Sequence, residues 1–153
     1  MTSTLVVGLG SPYGDDQIGW MACEQLKNEL GHISEVEFVT CDRSGLEWLS
    51  RISDAGQVFF IDAMRSGEKP GTVKKIDLNT TQWNEQSVSL SSHGINFKDA
   101  IEVAQSLGDL PGLISIWAVE MDQCHYDSDL SESVKSVFPT LLQRIKSDIL
   151  ACQ

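Results

Sequence analysis

The stretch from Thr4 to Trp20, TLVVGLGSPYGDDQIGW, constrains this chain more than any other. Thr4-Leu5-Val6-Val7 is short, β-branched and apolar, and glycine follows at once, which predicts a buried strand. Gly8, Gly10, Pro12 and Gly14 then supply positive φ or fix a turn. Asp15 and Asp16 come next, and Ile18, Met21, Ala22, Leu26 and Leu30 recur at helical spacing. A strand therefore runs to the end of a sheet, a tight loop crosses its rim, and a helix leaves with two acids at its N-terminus. Acids are enriched there simply to cap the helix and offset its dipole, and one of the pair is expected to do that. Two of them, in a glycine-bounded loop at the carboxyl edge of a strand, point to a site.

Charge narrows what the site takes. The spacing Gly8-x-Gly10-x-x-x-Gly14 is not the G-x-G-x-x-G of a dinucleotide loop, and no Gly-Lys-Ser/Thr ends it as in a P-loop. A pyrophosphate would sit on the helix N-terminus, where this chain places two carboxylates that repel it. A cation fits better. The whole chain has the same sign: 22 acids against 11 bases leave a net charge of −11, which argues against nucleic acid and anionic membranes.

At 153 residues, 41% of them apolar, the chain is expected to form one domain over residues 1–153 with a real core. No run reaches the length of a membrane span, and no basic, cleavable leader opens the sequence, so a cytoplasmic protein is expected. Cys23, Cys41, Cys124 and Cys152 are scattered, form no C-x-x-C, and read as reduced thiols.

Along the chain, Gly31 stops the first helix, and Val36, Phe38 and Thr40 alternate with polar residues as a second strand ending at Cys41-Asp42-Arg43-Ser44-Gly45. Leu46, Leu49 and Ile52 predict a short helix. Val58-Phe59-Phe60-Ile61 is the most apolar strand and ends in Asp62; Thr72 to Ile76, with two lysines, reads as an edge strand. Residues 79–92 are a long polar loop closed by His93-Gly94, and Asn96 caps a helix lined by Phe97, Ala100, Ile101, Ala104 and Leu107. Leu113 to Val119 is a last buried strand, and an irregular acidic segment, Glu120 to Asp129, follows it. The stripe from Val134 to Ile149 predicts a long helix that Pro139 kinks or splits. The alternation predicts an α/β three-layer sandwich: a mostly parallel, twisted sheet of about five strands with helices on both faces. Ligands bind such sheets at the carboxyl ends of the strands, and Asp16, Asp42, Asp62 and His93 all fall in loops suited to that edge.

Two carboxylates and an imidazole from separate loops make a nitrogen–oxygen site for a borderline divalent metal. Gly8-Leu9-Gly10 followed by Gly14-Asp15-Asp16-Gln17-Ile18-Gly19 resembles the opening motif of the hydrogenase maturation proteases. The strand ending in Asp62-Ala63, the Pro70-Gly71-Thr72 turn, Ser92-His93-Gly94 and Leu110-Pro111 match in the family's order, from about Leu5 to Val119. The resemblance implies an endopeptidase that removes the C-terminal extension of a nickel–iron hydrogenase large-subunit precursor. It also implies that Asp16, Asp62 and His93 contact nickel carried by that precursor and perform the chemistry. No G-x-S-x-G, H-E-x-x-H or cysteine–histidine pair competes for that role.

The chain departs from the family in three places. Ser11 stands where Asn is frequent, Asp16 where many members have Glu, and Asp42-Arg43-Ser44-Gly45 where many carry D-G-G-T-x-G. Asp for Glu keeps the carboxylate and shortens its reach by one methylene. Asp42, Arg43 and Gly45 are expected to help choose the partner, Arg43 being a bidentate donor; the alternative is an ordinary turn with a solvated arginine. Two further classes stay open. A receiver-like, magnesium-binding signalling domain would use paired acids and a strand-end aspartate, although no lysine follows the last strand. A metal chaperone would hold the ion and cleave nothing. A monomer is expected.

Overall fold

In a computed structural model, described over residues 3–42, 45, 47–77, 102, 105, 106, 108 and 111–153, five strands form one sheet in the order β2-β1-β3-β5-β4. The strands are β1 (Thr4–Gly10), β2 (Val36–Asp42), β3 (Gln57–Met64), β4 (Val73–Asp77) and β5 (Leu113–Glu120). β1, β2, β3 and β5 are parallel, whereas β4 pairs antiparallel with β5 at the edge where its lysines were expected. Two α-helices, α1 (Ile18–Leu30) and α2 (Glu132–Ala151), lie on one face of the sheet. Because successive strand residues point to opposite faces, each central strand feeds two cores. Val6, Phe59, Ile61, Trp117 and Val119 pack against α1 and α2, while Leu5, Val7, Phe60, Ile116 and Met64 pack with Trp48 and Ile52 on the other.

The short helix predicted over 46–52 is instead two 3-10 turns, Glu47–Ser50 and Ile52–Asp54, which bury Trp48 edge-on against Phe60 at 4.9 Å. α2 is a single helix and is not split at Pro139. Pro139 and Lys135, whose carbonyl loses its intrahelical donor, are both exposed, so water can take that bond. Glu102, Gln105 and Ser106 are helical, and Gly108 adopts φ +75, the left-handed conformation that suits a glycine after a helix. The loop 79–92, His93, Arg43 and the rest of the helix expected from Asn96 lie outside the described residues.

The sheet changes direction at β1: β2 lies on one side of it and β3 on the other. The carboxyl ends of β1 and β3 therefore flank the switch point at which open α/β sheets bind ligands.

Candidate active site

The glycines of the opening motif act mainly through close approach. Gly8 and Gly10 belong to β1 itself, and of the motif's glycines only Gly14 has positive φ, at +53. A Cβ on Gly8 would lie 2.3 Å from Gly19 O, one on Gly10 2.3 Å from Asp16 O, and one on Gly19 2.1 Å from Leu9 O and 2.4 Å from Ile61 O. The helix start is thus pressed onto the ends of β1 and β3 backbone to backbone. Between them the 3-10 turn Gly14–Gln17 carries Asp15 and Asp16 across the rim.

These two acids have different tasks. Asp15 is buried, and its carboxylate accepts from Asp122 N at 2.9 Å, Ser131 N at 2.7 Å and Ser131 Oγ at 2.8 Å. One acid of the pair is expected to cap α1, but the N-cap there is Gln17 with no side-chain cap, and Asp15 secures the start of α2, where Ser131 is the N-cap. Asp16 stays at the rim: Ser11 N donates to its carbonyl at 3.1 Å, and Ser11 Oγ donates to Asp16 Oδ2. The two departures noted at Ser11 and Asp16 are thus hydrogen-bonded to one another.

Asp62 stands one residue beyond Ile61, the last residue of β3 paired with β1, and is only 2% exposed. Its Oδ1 accepts from Ala63 N at 2.8 Å. Asp42 pairs with Gly10 at the end of β2, is exposed, and closes a turn in which Gly45 N donates to its carbonyl at 2.8 Å. Asp16, Asp62 and Asp42 therefore come to one edge of the sheet from three chain segments; His93 and Arg43 are outside the described residues.

The sequence places Glu120 in an irregular acidic segment, whereas in the structure it is the buried last residue of β5. Its carboxylate accepts from Ser66 N at 3.1 Å and from Ser66 Oγ, tying the loop after β3 to β5. The His125 Nε2 lies 2.7 Å from Asp129 O within its own loop. Cys23 and Cys41 are not activated thiols. Burial pushes the Cys23 thiol up to about 12 and raises that of Cys41 as well, which keeps both protonated.

The described residues thus place Asp16 and Asp62 at the carboxyl edge of an α/β sheet beside its switch point, and among them no group of three or more His, Cys, Asp or Glu residues could hold a metal ion; comparison with known proteins gives the family. Residues 21–148 match the HycI family, described as hydrogenase maturation protease. The chain belongs to the hydrogenase maturation protease family. It is 28% identical over 122 residues to the hydrogenase expression/formation protein HupD of Thiocapsa roseopersicina, over 77% of this chain and 55% of that protein. It thus spans about half the length of this curated relative. The fold is similar to that of the hydrogenase maturating endopeptidase HybD from E. coli, with a TM-score of 0.82 at 18% identity over 99% of this chain and 94% of the other. It is also similar to the [NiFe] hydrogenase maturation protease HycI from Thermococcus kodakarensis KOD1 (TM-score 0.73, 21% identity, 95% and 91% covered). With the family assigned, the receiver-like alternative has no remaining support.

Proposed function

We propose that this protein is an endopeptidase that removes the C-terminal extension of a nickel–iron hydrogenase large-subunit precursor once nickel has been inserted. The observation that carries the reading is the gathering of Asp16 and Asp62 at the β1/β3 switch point in a chain of this family. In this reading Asp16, Asp62 and His93 engage nickel that arrives as part of the substrate. Two carboxylates and an imidazole, without a thiolate, form a modest nitrogen–oxygen donor set, suited to meeting an ion already held by another protein rather than to retaining it. Two routes to hydrolysis are open to such a site: polarising the scissile carbonyl, or lowering the pKa of an attacking water. In either, Asp16 or Asp62 is the base, and Ser11 holds the Asp16 carboxylate in place.

Asp42 and Gly45 form a turn at the same edge, and with Arg43 they are assigned to partner choice. Among the described residues no helix is long and apolar enough to cross a membrane; that the protein acts as a monomer in the cytoplasm is part of the same proposal. Asp16→Asn, Asp62→Asn and His93→Ala should each abolish cleavage of nickel-loaded precursor while leaving the thermal transition nearly unchanged. Full activity in Asp62→Asn would show the trio to be wrong.

A further inference from the structure

The carboxylate edge continues into an apolar surface that the chemistry does not use. Tyr13, 72% exposed, directly precedes the Gly14–Gln17 turn; Tyr126, 91% exposed, lies in the loop against which that turn packs. The backbone holds these segments together: Gly14 N donates to Ser128 O at 3.3 Å, and Gln17 Nε2 donates to both Gly14 O and Ser128 O. Gln17 also lines a groove of about 330 Å³ between α1 and α2, together with Trp20, Met21 and Phe138. Trp20 is fixed there by its Nε1 donating to Cys41 O at 2.8 Å, so the groove is preformed. Met21 is 36% exposed, and among the described residues the one large exposed apolar side chain away from this surface is Leu150, at 45%. Scattered exposed apolar groups are ordinary, whereas a contiguous set marks an interaction surface.

The border of this surface is acidic. Glu24 lines the groove, and Asp127 follows Tyr126 in a chain with a net charge of −11. A second copy of this chain would bring like charge against like, so a partner of opposite character is favoured. We propose that the Tyr13, Tyr126, Trp20, Met21 and Phe138 surface is the docking face for the hydrogenase precursor. It takes a segment of that partner in which apolar side chains are interspersed with lysines or arginines. The apolar groups fill the groove, the cations meet Glu24 and Asp127, and the tyrosine faces accept cations as well. Continuity with the Gly14–Gln17 turn carries a segment lying in the groove onward to Asp16. The inference rests on the proposed function.

Steady-state cleavage of nickel-loaded precursor by Met21→Glu, Tyr126→Ser and, as control, Leu150→Glu tests it. Met21→Glu and Tyr126→Ser should each raise KM about tenfold with far less change in kcat, and Leu150→Glu should match the wild type. Wild-type KM in both surface variants would overturn the docking face, as would an equal rise in Leu150→Glu. Should Met21→Glu lower the thermal transition, Tyr126→Ser decides, because so exposed a side chain supports little packing. A concentration-dependent dimer abolished by Met21→Glu would overturn the proposal in favour of a second copy. Failure of the wild-type protein to cleave would overturn the functional reading, and this inference with it.

Discussion

Asp15 and Ser131, 116 residues apart, are joined by two hydrogen bonds: Ser131 N donates to Asp15 Oδ1 at 2.7 Å and Ser131 Oγ to Oδ2 at 2.8 Å. The bond fastens the loop after β1 to the first turn of α2, and Asp122 N adds a third donor from the loop after β5. Asp16, the next residue, faces the rim. Adjacent acids thus divide into one buried as a structural tie and one, bonded to Ser11, that the proposed function assigns to the chemistry. Asp15→Ala leaves buried donors unsatisfied and should cost about 3 kcal/mol, read as a lowered denaturation midpoint. Asp16→Asn should leave that midpoint near wild type.

Gly19 is a second point of assembly. Alanine normally stabilises a helix relative to glycine by up to about 1 kcal/mol. Here its Cβ would meet Leu9 O at 2.1 Å and Ile61 O at 2.4 Å, both backbone atoms of central strands. Those atoms cannot yield without parting the helix from the sheet. Gly19→Ala should therefore destabilise by about 3 kcal/mol, by the overpacking it imposes, measured in chemical denaturation.

Ser11 acts through Asp16. The Ser11 hydroxyl donates to the Asp16 carboxylate, which is shorter by one methylene than the glutamate common in the family. Ser11→Ala should lower kcat about tenfold with KM and thermal stability nearly unchanged, and Ser11→Thr, which restores the hydroxyl, should recover most of the loss. Equal loss in both variants would assign the defect to packing.

Much of this was legible in the sequence. Parallel strands buried on both faces read as unbroken apolar runs, so β1, β3 and β5 stood out, and the lysines of β4 marked an edge. The Asp15–Ser131 bond had no local signal, because a side chain satisfying an N-cap 116 residues away leaves no periodicity behind. Gly8 and Gly10 were attributed to the turn, since sequence cannot separate a glycine needed for positive φ from one needed for close approach. Glu120 looked solvated because a charged residue after an apolar run usually leaves the strand; here Ser66 supplies donors that keep it inside.

The thiols provide a test against pH. Burial disfavours the thiolate of Cys23 and pushes its pKa up to about 12, so it stays protonated at pH 8; Cys41 is shifted in the same direction by burial. Cys124 and Cys152 are exposed. Alkylation at pH 8 should modify two thiols in the folded protein and four in denaturant. Because the unfolded Cys23 ionises first, near its ordinary 9.0, native stability should decline as pH rises from there toward the folded value.

The central claim is that Asp16 and Asp62 work on nickel that the substrate brings. Purified protein, treated with chelator and then freed of it, is incubated with precursor either nickel-loaded or metal-free, and the precursor mass is followed. Loss of the C-terminal extension from the nickel-loaded form alone, abolished by Asp16→Asn or Asp62→Asn, is the predicted result. Cleavage of metal-free precursor at an undiminished rate, or an unchanged mass for the nickel-loaded form with the wild-type protein, would contradict it.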